Sequence, residues 1–199
     1  MKKLFFALLS VLLPYCLSAQ DAKANAVLEE VVSVLTKGGG VQMDFEGAES
    51  GTLLMKGAKF YLHSGQIQSW YDGKTQWSYV ADTEEVNISE PTPEELQGIN
   101  PYFILVNYQE NFNSSYNGMK PYEGKQVHEI TLTSKVNNDE RFVLGISKTS
   151  YPIYIKVEKG GKTVSEIQVK KVQKQQQMND QVFRFNKSLY PNAEIIDLR

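Results

Sequence analysis

The sequence predicts a mostly β, α+β fold: a curved or partly closed antiparallel sheet with helices packed on one side. Three observations predict it. Short runs rich in β-branched and aromatic residues recur along the chain, separated by turn residues. One amphipathic helical stretch precedes them, and two cap-then-proline signals interrupt them midway.

The first nineteen residues read as a signal peptide. Lys2 and Lys3 form a basic start, and Leu4–Leu13 is an apolar run too short to span a bilayer. Leu17-Ser18-Ala19 places small residues near a cleavage point, so secretion with cleavage near Ala19 is expected, leaving residues 20–199 as one domain. Cys16 raises the alternative of lipid attachment. Pro14-Tyr15 before it argues against that, because attachment requires a small residue there. Cleavage also removes the only cysteine, and with it any disulfide, thiol nucleophile or cysteine metal ligand. Without Lys2 and Lys3, 19 basic residues face 23 acidic ones, a net charge of −4. That balance does not attract nucleic acid or an anionic membrane.

Residues 21–36 have helical periodicity. Ala24, Val27, Leu28, Val31, Val32 and Leu35 fall on one face. Asp21 is positioned to cap the start, and Gly38-Gly39-Gly40 ends the helix. Three glycines permit either a flexible joint, on which the helix would move as a lid, or a plain loop after a fixed helix.

Strand signals follow at Val41–Phe45, Gly51–Lys56, Lys59–His63, Gln66–Tyr71, Thr75–Val80 and Glu85–Ile88. Short connections make neighbouring strands antiparallel. Asp72-Gly73 favours a tight hairpin turn, and that hairpin carries Trp70, Trp77 and Tyr79. Thr92-Pro93-Glu94-Glu95 then reads as a capping box with proline at the first helical position. Asn100-Pro101 repeats the signal before Tyr102–Tyr108. Strands resume at Gln126–Thr133, Phe142–Ser147, Ile153–Glu158 and Val164–Val172, with a last one at Val182–Phe185.

The chain offers little chemistry. His128-Glu129 begins like a zinc-protease motif, but Leu132 stands where the second histidine must be, and His63 is the only other imidazole. Gly47-Ala48-Glu49-Ser50-Gly51 misplaces the serine of a hydrolase elbow. Glu84-Glu85 and Glu94-Glu95 read as charge runs. Neither Gly38-Gly39-Gly40 nor Gly160-Gly161 has the strand–loop–helix setting of a phosphate cradle. No catalytic set, metal or cofactor is expected, and large rings without chemistry suggest a binding surface.

The order of motifs resembles the LolA-like periplasmic lipoprotein carriers, in a divergent form of the Bacteroidota type. Asp72-Gly73-Lys74, Trp77-Ser78-Tyr79 and Glu85-Val86-Asn87-Ile88 precede the short helices. Phe183-Arg184-Phe185 and Tyr190-Pro191-Asn192-Ala193-Glu194-Ile195-Ile196-Asp197 close the chain. The resemblance covers residues 21–199. It implies a half-open, strongly curved sheet, an incomplete barrel, whose concave face is capped by helices over an apolar cavity. It implies a non-enzymatic carrier that moves acylated lipoproteins from inner to outer membrane. The implied partners are an inner-membrane release complex and an outer-membrane acceptor. The carrier itself is expected to be a monomer in the periplasm.

On that reading the cavity is lined by Leu53, Met55, Phe60, Leu62, Trp70, Trp77 and Tyr79 from the sheet. Val27, Val31, Phe103 and Ile104 come from the helices. One departure stands out. Where the family has Arg-Pro after this strand, its arginine latching the lid, the chain has Gly57-Ala58. The loss puts the family's closed-lid gating in question and favours carrying or sensing other apolar ligands. The alternatives are a same-fold sensor or chaperone of lipids or mislocalised lipoproteins and, from a different class, a secreted hydrolase.

Overall fold

A computed structural model describes residues 13–105, 108–137 and 139–199, with side chains from residue 21 onward. The expected signal segment therefore lies largely outside the described residues. Helix α1 spans Leu13–Thr36. It starts before Asp21, so in the uncut chain Asp21 is an interior helical residue rather than the cap expected from its polarity. Ala24, Val27, Leu28, Val31 and Leu35 are buried, as their three-to-four residue spacing requires.

Six strands follow in a meander: β1 (Val41–Glu46), β2 (Gly51–Lys56), β3 (Lys59–Ser64), β4 (Ile67–Tyr71), β5 (Gln76–Val80) and β6 (Glu85–Ser89). Helix α2 (Pro93–Ile99), a 3-10 turn (Pro101–Leu105) and the one-turn helix α3 (Tyr108–Asn111) interrupt the sheet. Then come β7 (Phe112–Tyr122), β8 (Lys125–Ser134), β9 (Glu140–Ile146), β10 (Pro152–Lys159) and β11 (Lys162–Lys174). Two 3-10 turns, Asp180–Phe183 and Lys187–Leu189, precede β12 (Glu194–Asp197).

All twelve strands form one sheet, in the order β12-β6-β5-β4-β3-β2-β1-β11-β10-β9-β8-β7. β1 and β11 join the two meanders antiparallel, and only β12 lies parallel to its neighbour, β6. The sheet curves without closing. Helices α1 and α2 and the Pro101–Leu105 turn fill its concave side. Their buried faces form one apolar cluster with Met43, Leu53, Met55, Phe60 and Tyr71, and with Ile130, Leu132, Leu144 and Ile155 from the other half.

The triglycine segment is a pinned crossing, not a loose hinge. The Gly39 carbonyl accepts from Met178 N–H at 2.8 Å and the Gly40 carbonyl from Gln175 N–H at 2.9 Å. A Cβ on Gly39 would overlap the Gln176 carbonyl, so only glycine admits this approach. Helix α1 is held along its length as well. Ser114 Oγ donates to Asn25 Oδ1 at 2.8 Å, and Ser150 Oγ to Glu30 Oε2 at 2.7 Å. These contacts favour the fixed-helix alternative over a free lid.

Two segments cover the convex face. Over β2–β5 lies the C-terminal stretch: Lys56 and Lys59 both pair with Asp180, at 2.8 and 2.5 Å, and Arg184 pairs with Asp72 at 2.9 Å. Over β9–β11 lies the tip of the β7–β8 hairpin, bent by the register shift between Tyr116 and Gly118. There the Tyr122 ring packs on Tyr154 at 4.4 Å, and Tyr154 lies across Gly145, where any side chain would collide with it.

Two assignments from the sequence need correction, and two strands carry no sequence signal. Val182–Phe185 is no strand: Asn179 accepts from Gln181 N–H and starts a 3-10 turn there. The helix expected at Tyr102–Tyr108 is a 3-10 turn ending at Leu105, with α3 separate from it. Strands β7 and β12 were not expected.

Candidate functional site

Strand alternation decides which side chains meet the helices. Leu53 and Met55 of β2, Phe60 and Leu62 of β3, and Ile67, Ser69 and Tyr71 of β4 point to the concave side. The Phe60 and Tyr71 rings are 5.5 Å apart, and Phe103 meets Tyr71 edge-on at 6.3 Å. Val27, Val31, Phe103 and Ile104 reach the same cluster from the helical side. All of these except Leu62, Ile67 and Ser69 are core residues of that cluster, each under a tenth exposed.

Trp70, Trp77 and Tyr79 do not belong with them. Cross-strand register pairs Trp70 with Tyr61 and Trp77, and Tyr79 with Gln68, all on the convex side. There Trp70 packs against Phe185 at 5.5 Å and Tyr190 at 5.7 Å, while Tyr79 lies 4.7 Å from Tyr190. Gln68 Oε1 accepts from both Tyr61 and Tyr190 hydroxyls, fixing the C-terminal stretch over these rings. The aromatic hairpin is therefore a wall facing away from the helices. The sequence expectation placed these three side chains on the wrong side.

A cleft of about 480 Å³ opens between the concave sheet and the α2–3-10 connection. That volume falls within the range of small-ligand sites. Phe45, Leu53, Leu62, Ile67 and Ile167 supply its sheet wall, with Ile99, Pro101 and Tyr102 opposite. Ser69 and Ser78 add a polar strip, their hydroxyls 3.5 Å apart across β4 and β5. Asn100, Ile67, Tyr71 and the serines had no functional signal in the sequence. Register alone could have found Tyr71, because it pairs with Phe60.

The helical side of the cleft is built by capping. Thr92 Oγ1 accepts from Glu95 N–H, and Glu95 Oε2 accepts from Thr92 N–H at 2.8 Å, so α2 begins on a closed capping box. Asn100 then ends α2 and starts the next turn. Its N–H donates to the Leu96 carbonyl, its carbonyl accepts from Phe103 N–H, and its Oδ1 accepts from Tyr102 N–H at 3.1 Å. Asn100 Nδ2 and the Tyr102 hydroxyl are buried with no hydrogen-bond partner. Burial also holds the Tyr102 hydroxyl well above the ordinary tyrosine range, so it is a neutral donor.

The histidines do not join this site. His63 is exposed, and His128 bonds the Tyr116 hydroxyl at 2.8 Å in the other half of the sheet. Burial, with Lys23 and Lys148 nearby, lowers its pKa. Among the described residues, no three His, Cys, Asp or Glu side chains converge as a metal site.

Residues 15–161 match the family described as outer membrane lipoprotein carrier protein LolA. The chain belongs to that LolA family. The fold agrees: an uncharacterized conserved protein from Thermus thermophilus aligns with a TM-score of 0.65 at 14% identity, covering 88% of this chain and 99% of that one. A LolA superfamily protein from Nitrosomonas europaea aligns more loosely, with a TM-score of 0.45 at 10% identity over 81% of this chain and 97% of that one. In sequence, the LolA-family chain is 29% identical over 114 residues to an uncharacterized protein of Methanocaldococcus jannaschii. That match takes in 56% of this chain but 34% of the relative, so the chain spans about a third of that protein.

Within the family pattern, Gly57-Ala58 form the β2–β3 turn. Gly57 sits at φ +61°, where a residue with a side chain is strained. Neither residue has a side chain long enough to replace an arginine latch. The contacts that hold α1 run instead through Asn25, Glu30 and the pinned glycines.

Proposed function

We propose that this protein is a periplasmic carrier that holds acyl chains of lipoproteins against the concave face of its sheet and moves them between membranes. The observation that carries this reading is the apolar cleft between that face and the α2–3-10 connection. It continues into a core of Leu53, Met55, Phe60, Tyr71, Phe103 and Ile104, all adaptable apolar or aromatic side chains.

The need for such a face is quantitative. Each buried methylene stabilises by about 0.8 kcal/mol, so a C16 chain left in water costs roughly 12 kcal/mol. A multiply acylated protein cannot cross an aqueous compartment without shielding of that order. The cleft as it stands holds part of a cargo, and the apolar cluster behind it would open to receive more. Since α1 is tied down, the moving part in this reading is the α2–3-10 connection rather than the N-terminal helix. Its partners would be acylated lipoproteins, a releasing complex at the inner membrane and an acceptor at the outer one.

The test is native mass spectrometry of protein purified from the periplasm with onward delivery blocked. Co-purifying acylated lipoprotein is the expected result. A ligand-free protein under that block would sink the carrier reading.

A further inference from the structure

The α2–3-10 connection carries two groups that the closed fold leaves unmet. Asn100 is wholly buried and uses its backbone N–H, its carbonyl and Oδ1, which leaves Nδ2 as a lone donor. The Tyr102 hydroxyl, two residues on, is a second buried donor without an acceptor. Both residues line the cleft, opposite the Ser69–Ser78 strip. Elsewhere among the described residues, buried side-chain polar atoms find partners, which makes this pair a local exception rather than loose packing.

A buried unpaired donor destabilises the state that buries it. Nothing in local geometry requires these two: a phenylalanine fits the Tyr102 ring site, and Asn100 needs only its oxygen to cap the turn. A ligand that parts the connection from the sheet and presents an acceptor would satisfy both. The surroundings limit what that ligand is. Phe45, Leu53, Leu62 and Ile167 favour hydrocarbon, and the Glu49 carboxylate that also lines the cleft disfavours an anion, so the acceptor sits within or directly beside an alkyl chain and carries no negative charge. Ester and amide carbonyls of acyl groups meet that description.

Building on the carrier reading, we propose that Asn100 and Tyr102 form a carbonyl-recognition point for acyl esters and amides. It would select acylated cargo over bare hydrocarbon and bias the connection toward opening when such cargo arrives.

The test compares two soluble short-chain phosphatidylcholines of equal chain length, one diester and one diether, and a synthetic triacylated lipopeptide, by calorimetric titration into wild-type protein and Tyr102→Phe. The wild type should bind the diester roughly fivefold to tenfold more tightly than the diether. Tyr102→Phe should narrow that preference, Asn100 Nδ2 being left as the remaining donor, chiefly by weakening diester binding. Without ligand, Tyr102→Phe should melt about 2–6 °C higher, because an unmet donor is gone. A response confined to the lipopeptide identifies lipoprotein as the carbonyl source, and one confined to phospholipid identifies membrane lipid. Equal binding of diester and diether, unchanged by Tyr102→Phe, overturns the recognition point while sparing the carrier reading. A Tm that falls overturns it too, since the hydroxyl then has a partner. Failure of all three ligands to bind overturns both.

Discussion

Trp70 packs edge-on against Tyr190, ring centres 5.7 Å apart, with the whole thickness of the sheet between this pair and the helices. A residue of the β4–β5 hairpin is thus sealed by one in the 3-10 region ahead of β12. The most conspicuous aromatics of the sequence serve the outer face.

Tryptophan fluorescence should therefore ignore the cargo. Addition of a lipopeptide is expected to leave the emission of Trp70 and Trp77 within a few nanometres of its starting maximum. Phe103→Trp, on the concave side, should shift blue or change intensity under the same titration. A native-tryptophan response larger than that of the reporter would contradict the placement.

Core and cleft positions should separate in stability. Phe60 is fully buried, so Phe60→Ala is expected to cost about 3–5 kcal/mol in urea unfolding. Leu62 borders the cleft and is only half-buried, so Leu62→Ala should cost less than half as much. Its larger effect should be weakened acyl binding. Comparable losses from both substitutions would mean the cleft is closed core.

Adjacent glycines should differ sharply. Gly39→Ala forces the new methyl into the Gln176 carbonyl and should destabilise by about 1–3 kcal/mol by displacing the 175–178 segment. Gly38→Ala meets open space, and its penalty is limited to the strain of φ +105°. Thermal melts of the two variants settle the order.

Asp180 gives a pH-dependent clamp on the convex side. Hydrogen bonds from Lys56 and Lys59 lower its pKa from the usual carboxylate value to about 2. A depressed folded-state pKa means the stabilisation is present above pH ~4, the unfolded value, and fades as pH falls toward 2. Asp180→Asn should flatten that part of the Tm–pH curve by lowering Tm modestly at pH 7, the pair being exposed and salt-screened, while converging on the wild type near pH 2. An unaltered acid limb would remove Asp180 from the account.

Local grammar was readable and global placement was not. The capping box at Thr92–Glu95 and the Asn100-Pro101 restart appear as residue types at fixed spacing, and both formed as expected. Strand β7 escaped because its Asn, Ser, Gly and Pro residues resemble a loop. It is an edge strand, where Pro121 is tolerated. Strand β12 pairs in parallel with a partner about 110 residues away, which leaves no local trace. The aromatic wall failed for a subtler reason. Alternation shows which residues share a face, but β2–β4 are apolar on both faces, as Leu53/Leu54 and Phe60/Tyr61 illustrate. Only the register Phe60–Tyr71 reveals that Trp70 points away.

The parallel seat of β12 on β6 also bears on how the molecule comes to exist. Two edges wait for strands far ahead: that of β1 for β11, and the outer edge of β6 for Glu194–Asp197. Until they arrive, β6 presents a bare row of backbone donors and acceptors, open to any extended segment nearby. Trimming the final six residues should thus leave an assembled sheet with a sticky border, and self-association should rise before the fold itself is lost.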